Sequence, residues 1–333
     1  MKDLYIIYFS KNGEISASRI AETLASDSQF TLHKIHGSPI AENMKAVFKR
    51  ENILVFIGAV GIAVRAVSTL LQSKATDPPV IVIDEKANFV IPILSGHIGG
   101  ANRLAERIAA SIGATAIITT ATDSCGVFAV DSFAVENGYA IINPAAIKIV
   151  SSMLLRNETV FLSSEFEIQG TLPENIVLKE RVDVGIHIGK SYENVSGQTL
   201  LLLPKRFHIG IGCKRDISFE LLDDFFRETL ENCSISVETV ATISSIDLKR
   251  NEEAINMLSK RYHVPFRTYT VEELRKHEHG FESSQFVRDK IGVGNVCEAS
   301  AWMSSNRGSV ILAKQVRNGM TIAIAEENWI VRF

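Results

Sequence analysis

The chain runs to 333 residues, with 46% apolar and 22% charged side chains and a formal charge of −3. That length exceeds what one hydrophobic core usually serves, so two or three domains are expected, and the composition is that of a folded rather than a disordered protein. The near-balanced charge leaves no footprint for nucleic acid and no apolar run reaches membrane-spanning length. Cys125, Cys213, Cys233 and Cys297 are too scattered for a Cys-x-x-Cys metal site or a secreted disulfide framework, so the expected compartment is the cytoplasm, with no membrane partner.

The first part of the chain alternates short β-rich runs with helical patterns: Leu4–Phe9, Ile15–Leu24, Phe30–Ile35, Met44–Arg50, Ile53–Ile57 and Ile62–Leu71. Such alternation predicts an α/β fold with a largely parallel sheet. Val80–Asp84 and Asn88–Leu94 either pair antiparallel around Glu85-Lys86 or extend the same sheet. A helix is predicted from Asn102 to Ile112, where Leu104, Ala105, Ile108 and Ala109 recur at helical spacing, and a strand from Thr115 to Ile118.

Three of these strands end in polar or glycine-rich turns. They are Gly58-Ala59-Val60-Gly61-Ile62-Ala63-Val64-Arg65, then Ser95-Gly96-His97-Ile98-Gly99-Gly100-Ala101-Asn102, then Thr119-Thr120-Ala121-Thr122-Asp123-Ser124-Cys125-Gly126. Glycines let a ligand approach the main chain, and amides at a helix N-terminus favour anions. Ligands of open parallel sheets sit at the carboxyl ends of the strands, so the three turns predict a single binding edge.

An imidazole in a glycine turn suits general acid or base work, which singles out His97; a capping histidine is the plainer reading. Asp123 is equally a group that orients a histidine or takes a proton, or an N-cap. Gly58 and Gly61 belong to no G-x-G-x-x-G or P-loop pattern, so a nucleotide is not indicated, and tight strand-to-helix packing explains them as well as ligand contact does.

After Val135 the texture changes, with a helical run Ala145–Leu155 and short β-like runs at Thr159–Leu162, Ile176–Leu178, Val184–Ile188 and Leu200–Leu203. Beyond the connector Pro204-Lys205-Arg206, alternation resumes with His208–Cys213, Phe219–Leu230, Val237–Ile243, Glu252–Tyr262 and Arg267–Tyr269. Thr270 and Glu273 form a capping box, Gly292-Val293-Gly294 precedes a helix from Val296 to Met303, and Asn318-Gly319 closes a hairpin of Val310–Lys314 with Met320–Ala325. The expected organisation is therefore an amino-terminal α/β domain over 1–135, a small middle domain over 136–205 and a carboxyl-terminal α/β domain over 206–333.

Arg65, Lys214, Arg215 and Lys314 flank strand ends or glycine turns, where an acidic substrate wants cationic partners, although each also suits a surface salt bridge. Glu298 is either a second acid/base group or a first-turn residue favoured by the helix dipole. Cys213 and Cys297 have no histidine beside them in sequence, which disfavours a cysteine nucleophile.

The turns just quoted, with Phe128-Ala129-Val130-Asp131, Gly210-Ile211-Gly212-Cys213-Lys214-Arg215, Ala241-Thr242-Ile243-Ser244-Ser245-Ile246-Asp247-Leu248-Lys249 and Gly292-Val293-Gly294-Asn295-Val296-Cys297-Glu298-Ala299-Ser300-Ala301, together resemble the cobalt-precorrin-5A hydrolase family of anaerobic cobalamin biosynthesis. The resemblance implies sandwich-like α/β domains at both ends around the small middle domain. It also implies a reaction, in which water opens a δ-lactone on a cobalt-bearing ring-contracted tetrapyrrole, a two-carbon fragment leaves as acetaldehyde, and cobalt-precorrin-5B results.

No metal site or cofactor of the chain's own is implied, since the substrate carries the cobalt. The implied partner is that tetrapyrrole; neighbouring cobalamin-pathway enzymes that receive the product and a second copy of the chain are further candidates, not implied by the resemblance. On this reading His97, Asp123 and Glu298 are the catalytic candidates. Contacts to substrate are expected from Gly58, Gly61, Arg65, Ser95, Gly96, Gly99, Gly100, Asn102, Thr120, Thr122, Gly212, Lys214, Arg215, Gly294 and Lys314. A non-catalytic carrier that merely holds the macrocycle is the alternative.

Overall fold

The structure is a computed structural model and describes residues 2–25, 30–73, 76–97, 99–120, 126–192, 195–277, 281 and 292–333. The chain is a multidomain α/β protein and divides into two compact units, Met1–Phe133 and Ala134–Phe333. Among the described residues no helix is long and apolar enough to cross a membrane.

In the first unit the elements run β1 (Lys2–Tyr8), α1 (Lys11–Leu24), β2 (Phe30–His36), α2 (Ile40–Val47), β3 (Ile53–Ile57), α3 (Val60–Val67), β4 (Val80–Ile83), β5 (Phe89–Leu94), α4 (Ala101–Ile112) and β6 (Thr115–Ala116). They build a six-stranded sheet in the order β2-β1-β3-β4-β5-β6. Every residue of β3 and β4 is buried, because both faces of the sheet are covered. Ile53, Val55, Ile57, Ile81 and Ile83 pack with Ile20 of α1 and Leu104 and Ile108 of α4, while Leu54, Phe56, Val80 and Val82 pack with Met44 of α2 and Ala63 and Val67 of α3. Strands covered on both sides read as continuous apolar runs, as these do.

β1, β2, β3 and β4 are mutually parallel, but β5 runs antiparallel to β4, with Val80 opposite Leu94 and Ile83 opposite Val90. Asp84 shapes this reversal, its Oδ1 accepting the amides of Asn88 and Phe89 at 2.7 Å each. β6 then runs parallel to β5.

The second unit opens with β7 (Tyr139–Ile141), the helix Ala145–Leu155, β8 (Val160–Ser164), β9 (Ile168–Gln169), β10 (Ile176–Leu178), β11 (Gly185–Ile188) and β12 (Thr199–Pro204). All of these strands but β9 form one sheet of order β10-β8-β11-β12-β7, with only β7 antiparallel to its neighbour. β13 (Phe207–Cys213), β14 (Val240–Ile246), β15 (Phe266–Tyr269), β16 (Ser309–Arg317) and β17 (Met320–Glu326) form a third sheet, ordered β15-β14-β13-β17-β16. β13, β14 and β15 are parallel, and β17 and β16 form the hairpin expected around Asn318-Gly319.

The helices Phe219–Asn232 and Glu253–Tyr262 cover one face of this third sheet through Leu222, Phe226, Ile255 and Leu258. The helix Val296–Ser304 covers the other, through Val296 and Ala299 against Ile246. The short strand β18 (Val331–Arg332) pairs with β9.

Candidate functional site

In the first unit the Ser95–Asn102 turn is folded by its own backbone. Ser95 takes a left-handed φ of +54°, and its hydroxyl donates to Asp77 O at 2.8 Å. The amides of Gly100, Ala101 and Asn102 donate to the carbonyls of His97, Ser95 and Gly96 at 2.9, 3.2 and 3.0 Å. A Cβ on Gly99 would lie 2.6 Å from Ser95 O, which leaves no room for a side chain there, and Gly100 caps α4 at φ +83°, a left-handed conformation that favours glycine although the space around it is open. These glycines therefore serve the turn itself, and the Gly100 amide expected to face an anion is spent on His97 O.

What the turn presents is the His97 ring. Its Nδ1 stands 3.1 Å from Asp131 Oδ2, and the two side chains are only 12% and 13% exposed. Asp131 lies in the first turn of the helix Val130–Glu136, and its Oδ1 accepts the Ser132 amide at 3.1 Å. Beside them Asn102 donates from Nδ2 to Thr120 Oγ1 at 2.8 Å, tying the start of α4 to the segment after β6. Ser95, Gly96, His97, Gly99, Gly100, Asn102 and Thr120 are thus one cluster. Asp123 and Thr122 lie outside the described residues.

The Gly58–Arg65 turn does not join that cluster, so the three turns do not share the single binding edge expected of them. The Gly58 amide donates to Ile83 O at the carboxyl end of β4, whereas Leu94 sits opposite Val80 at its amino end. Because β5 is antiparallel to β4, its carboxyl end emerges at the other edge of the sheet. The four residues of β4 separate the edges by about 10 Å. Gly58, Gly61 and the exposed Arg65 belong to the first edge, and His97, Asn102 and Thr120 to the second.

In the second unit another group forms around the start of the helix Val296–Ser304. Asn295 caps it, its Oδ1 accepting the Glu298 amide at 3.0 Å, and the Lys314 amide donates to Glu298 Oε1 at 2.7 Å where the register of β16 shifts. Glu298 is only 5% exposed, so this carboxylate is both a first-turn residue and the anchor of an irregular strand. A Cβ on Gly212 would lie 2.6 Å from Thr321 Oγ1. Buried Gly294 precedes the cap residue. Lys214 and Arg215 are exposed beyond the carboxyl end of β13.

Burial pushes the Cys297 thiol up to about 11, and burial likewise raises Cys213 to about 11 against the opposing pull of the Lys249 ammonium. Among the described residues no group of three or more His, Cys, Asp or Glu is placed to hold a metal ion.

Residues 42–123 match the family model described as cobalamin synthesis G N-terminal, and residues 207–325 match its C-terminus counterpart. The cobalt-precorrin-5A hydrolase of Salmonella typhimurium is 34% identical over 297 residues, covering 85% of this chain and 84% of that protein. The chain belongs to the cobalt-precorrin-5A hydrolase family. Its relative from Priestia megaterium, also named cobalt-precorrin-5A hydrolase, is 28% identical and covers 85% of this chain and 80% of that one. A solved cobalamin biosynthesis protein G homologue from Sulfolobus solfataricus covers 97% of both chains at 27% identity and a TM-score of 0.45.

Asp131 is the residue of the His97 cluster that no single position in the sequence pointed to. The run Phe128-Ala129-Val130-Asp131 carries part of the family resemblance, but nothing in the sequence joins it to His97, 34 residues away.

Proposed function

We propose that this chain is a cobalt-precorrin-5A hydrolase that opens the substrate's δ-lactone and releases the two-carbon fragment as acetaldehyde. The observation that carries the reading is the match to the Salmonella hydrolase along most of both chains. The first unit's cluster supports it chemically, because it holds an imidazole at a strand end with a carboxylate on one nitrogen.

A proton kept on Nδ1 makes Nε2 the basic nitrogen. Nε2 takes a proton from water as the hydroxyl oxygen bonds to the lactone carbonyl carbon. The ring C–O bond then breaks, and the freed alkoxide recovers the proton from the imidazolium. In the second stage the same nitrogen removes the alcohol proton. The adjoining carbon–carbon bond breaks to form the carbonyl of acetaldehyde, and its electron pair passes into the conjugated macrocycle, which takes up a proton. Glu298, Lys214, Arg215 and Lys314 are proposed as further contributors, the cations as partners for the substrate's carboxylates. Cobalt enters as part of the substrate, no cofactor of the chain's own is proposed, and the proposed location is the cytoplasm.

The test is anaerobic incubation with enzymatically prepared cobalt-precorrin-5A, assaying acetaldehyde alongside tetrapyrrole mass. Stoichiometric acetaldehyde with loss of the two-carbon unit is expected. Tight binding with an unchanged tetrapyrrole would replace this reading with that of a carrier. His97→Ala is expected to abolish turnover with binding retained.

A further inference from the structure

We infer that Asp131 is a positioning residue that fixes the tautomer and orientation of His97. This rests on the reading of His97 as the general base. Both carboxylate oxygens of Asp131 are committed, Oδ2 to the imidazole Nδ1 and Oδ1 to the Ser132 amide. A carboxylate accepts hydrogen bonds and does not donate them, so the nitrogen facing it carries the proton and the other nitrogen is the base.

The anchor at Ser132 matters because it stops the carboxylate from rotating with the ring. The pair is also largely removed from water, at 12% and 13% exposure, so the attraction between Asp131 and the imidazolium formed during proton transfer is screened less than at a surface. Asp131 thus supplies two effects without touching substrate, the choice of basic nitrogen and stabilisation of the cation once it forms.

Asp131→Asn separates these roles from bulk. It keeps the shape, yet its amide NH2 can donate to Nδ1 and move the ring proton to Nε2, the tautomer that cannot accept from water. The expected result is a fall in kcat on the order of 10²–10⁴-fold with KM unchanged. The acid limb of the rate profile moves to lower pH, because losing a negative neighbour disfavours imidazolium. Asp131→Glu is expected to restore part of the rate.

A substrate-free readout accompanies the kinetics. Nitrogen-15 NMR of labelled histidine, assigned with the His97→Ala variant, should show the proton on Nδ1 in the native protein and on Nε2 in Asp131→Asn. If His97→Ala is inactive while Asp131→Asn retains full kcat and the native tautomer, the positioning role is wrong and the base reading survives. If His97→Ala turns over normally, the base reading fails and the positioning role in catalysis fails with it.

Discussion

The Cys213 and Cys297 thiols, raised to about 11, make a prediction that separates buried sulfur from reactive sulfur. At pH 8 a thiol of pKa 11 is thiolate in about one molecule per thousand, far too little for a working nucleophile. Iodoacetamide should therefore label both positions at least about 10²-fold more slowly in the folded protein than in guanidinium, read peptide by peptide by mass spectrometry. Rapid labelling of half-buried Cys213 in the native state would show that Lys249 outweighs burial.

The unfolded thiol ionises near 8.5–9, so what Cys297 contributes to stability is complete below about pH 9 and is lost as pH rises toward 11. Two pKa units correspond to about 3 kcal/mol at most. Denaturant titrations at pH 8 and pH 10.5 should show Cys297→Ala losing less stability over that interval than the native chain.

At the scale of elements, the helix Val296–Ser304 lies so close to β13 that a Cβ on Gly210 would overlap the Cys297 carbonyl oxygen. Ala299, Ser300 and Ala301 permit that approach, and all three are fully buried. Gly210→Ala must push a backbone rather than a flexible side chain, so a loss on the order of 3 kcal/mol is expected in urea unfolding. Glu298 rides on the same helix, and its bond to the Lys314 amide should loosen with it.

The helix and its glycine turn were readable in the sequence because apolar spacing and punctuation are local signals. Strand direction is not local, yet one case was accessible. Asp84 to Asn88 is far too short for the crossover of about a dozen residues that a parallel connection requires, so β4 and β5 had to be antiparallel. The His97 turn then had to leave the edge that holds Gly58. The His97–Asp131 pair was beyond such reasoning, because a hydrogen bond between residues 34 apart depends on how the connecting chain travels and leaves no periodic trace.

Across the second unit, the sheet of β7, β8 and β10–β12 is tied to the sheet of β13–β17 by Arg206 and by the chain's last residues. Arg206 is 7% exposed, bonds Glu326 Oε1 at 2.7 Å and Lys190 O at 3.2 Å, and lies over the rings of Phe207 and Phe166 at 4.3 and 5.6 Å. The Glu327 amide donates to Arg206 O, Trp329 Nε1 donates to the Tyr139 hydroxyl at 3.2 Å, and β18 joins β9. Removing the guanidinium leaves Glu326 without its partner and two rings uncovered, a loss on the order of 3 kcal/mol.

Both tryptophans, Trp302 and Trp329, lie in this unit, so tryptophan emission, excited selectively over tyrosine, reports it alone. Trp302 senses the third sheet through the helix Val296–Ser304, and Trp329 senses the strap that reaches Tyr139. In the native chain, Trp302→Phe and Trp329→Phe proteins should give coincident denaturation midpoints, the signature of one cooperative unit. With Arg206→Ala added, the Trp329 signal should be lost at lower denaturant than the Trp302 signal, because the strap loses the residue that binds it to both sheets. Midpoints that stay coincident and shift by less than about 0.5 kcal/mol would place the cohesion of the unit in the β18–β9 pairing and the Trp329–Tyr139 contact instead.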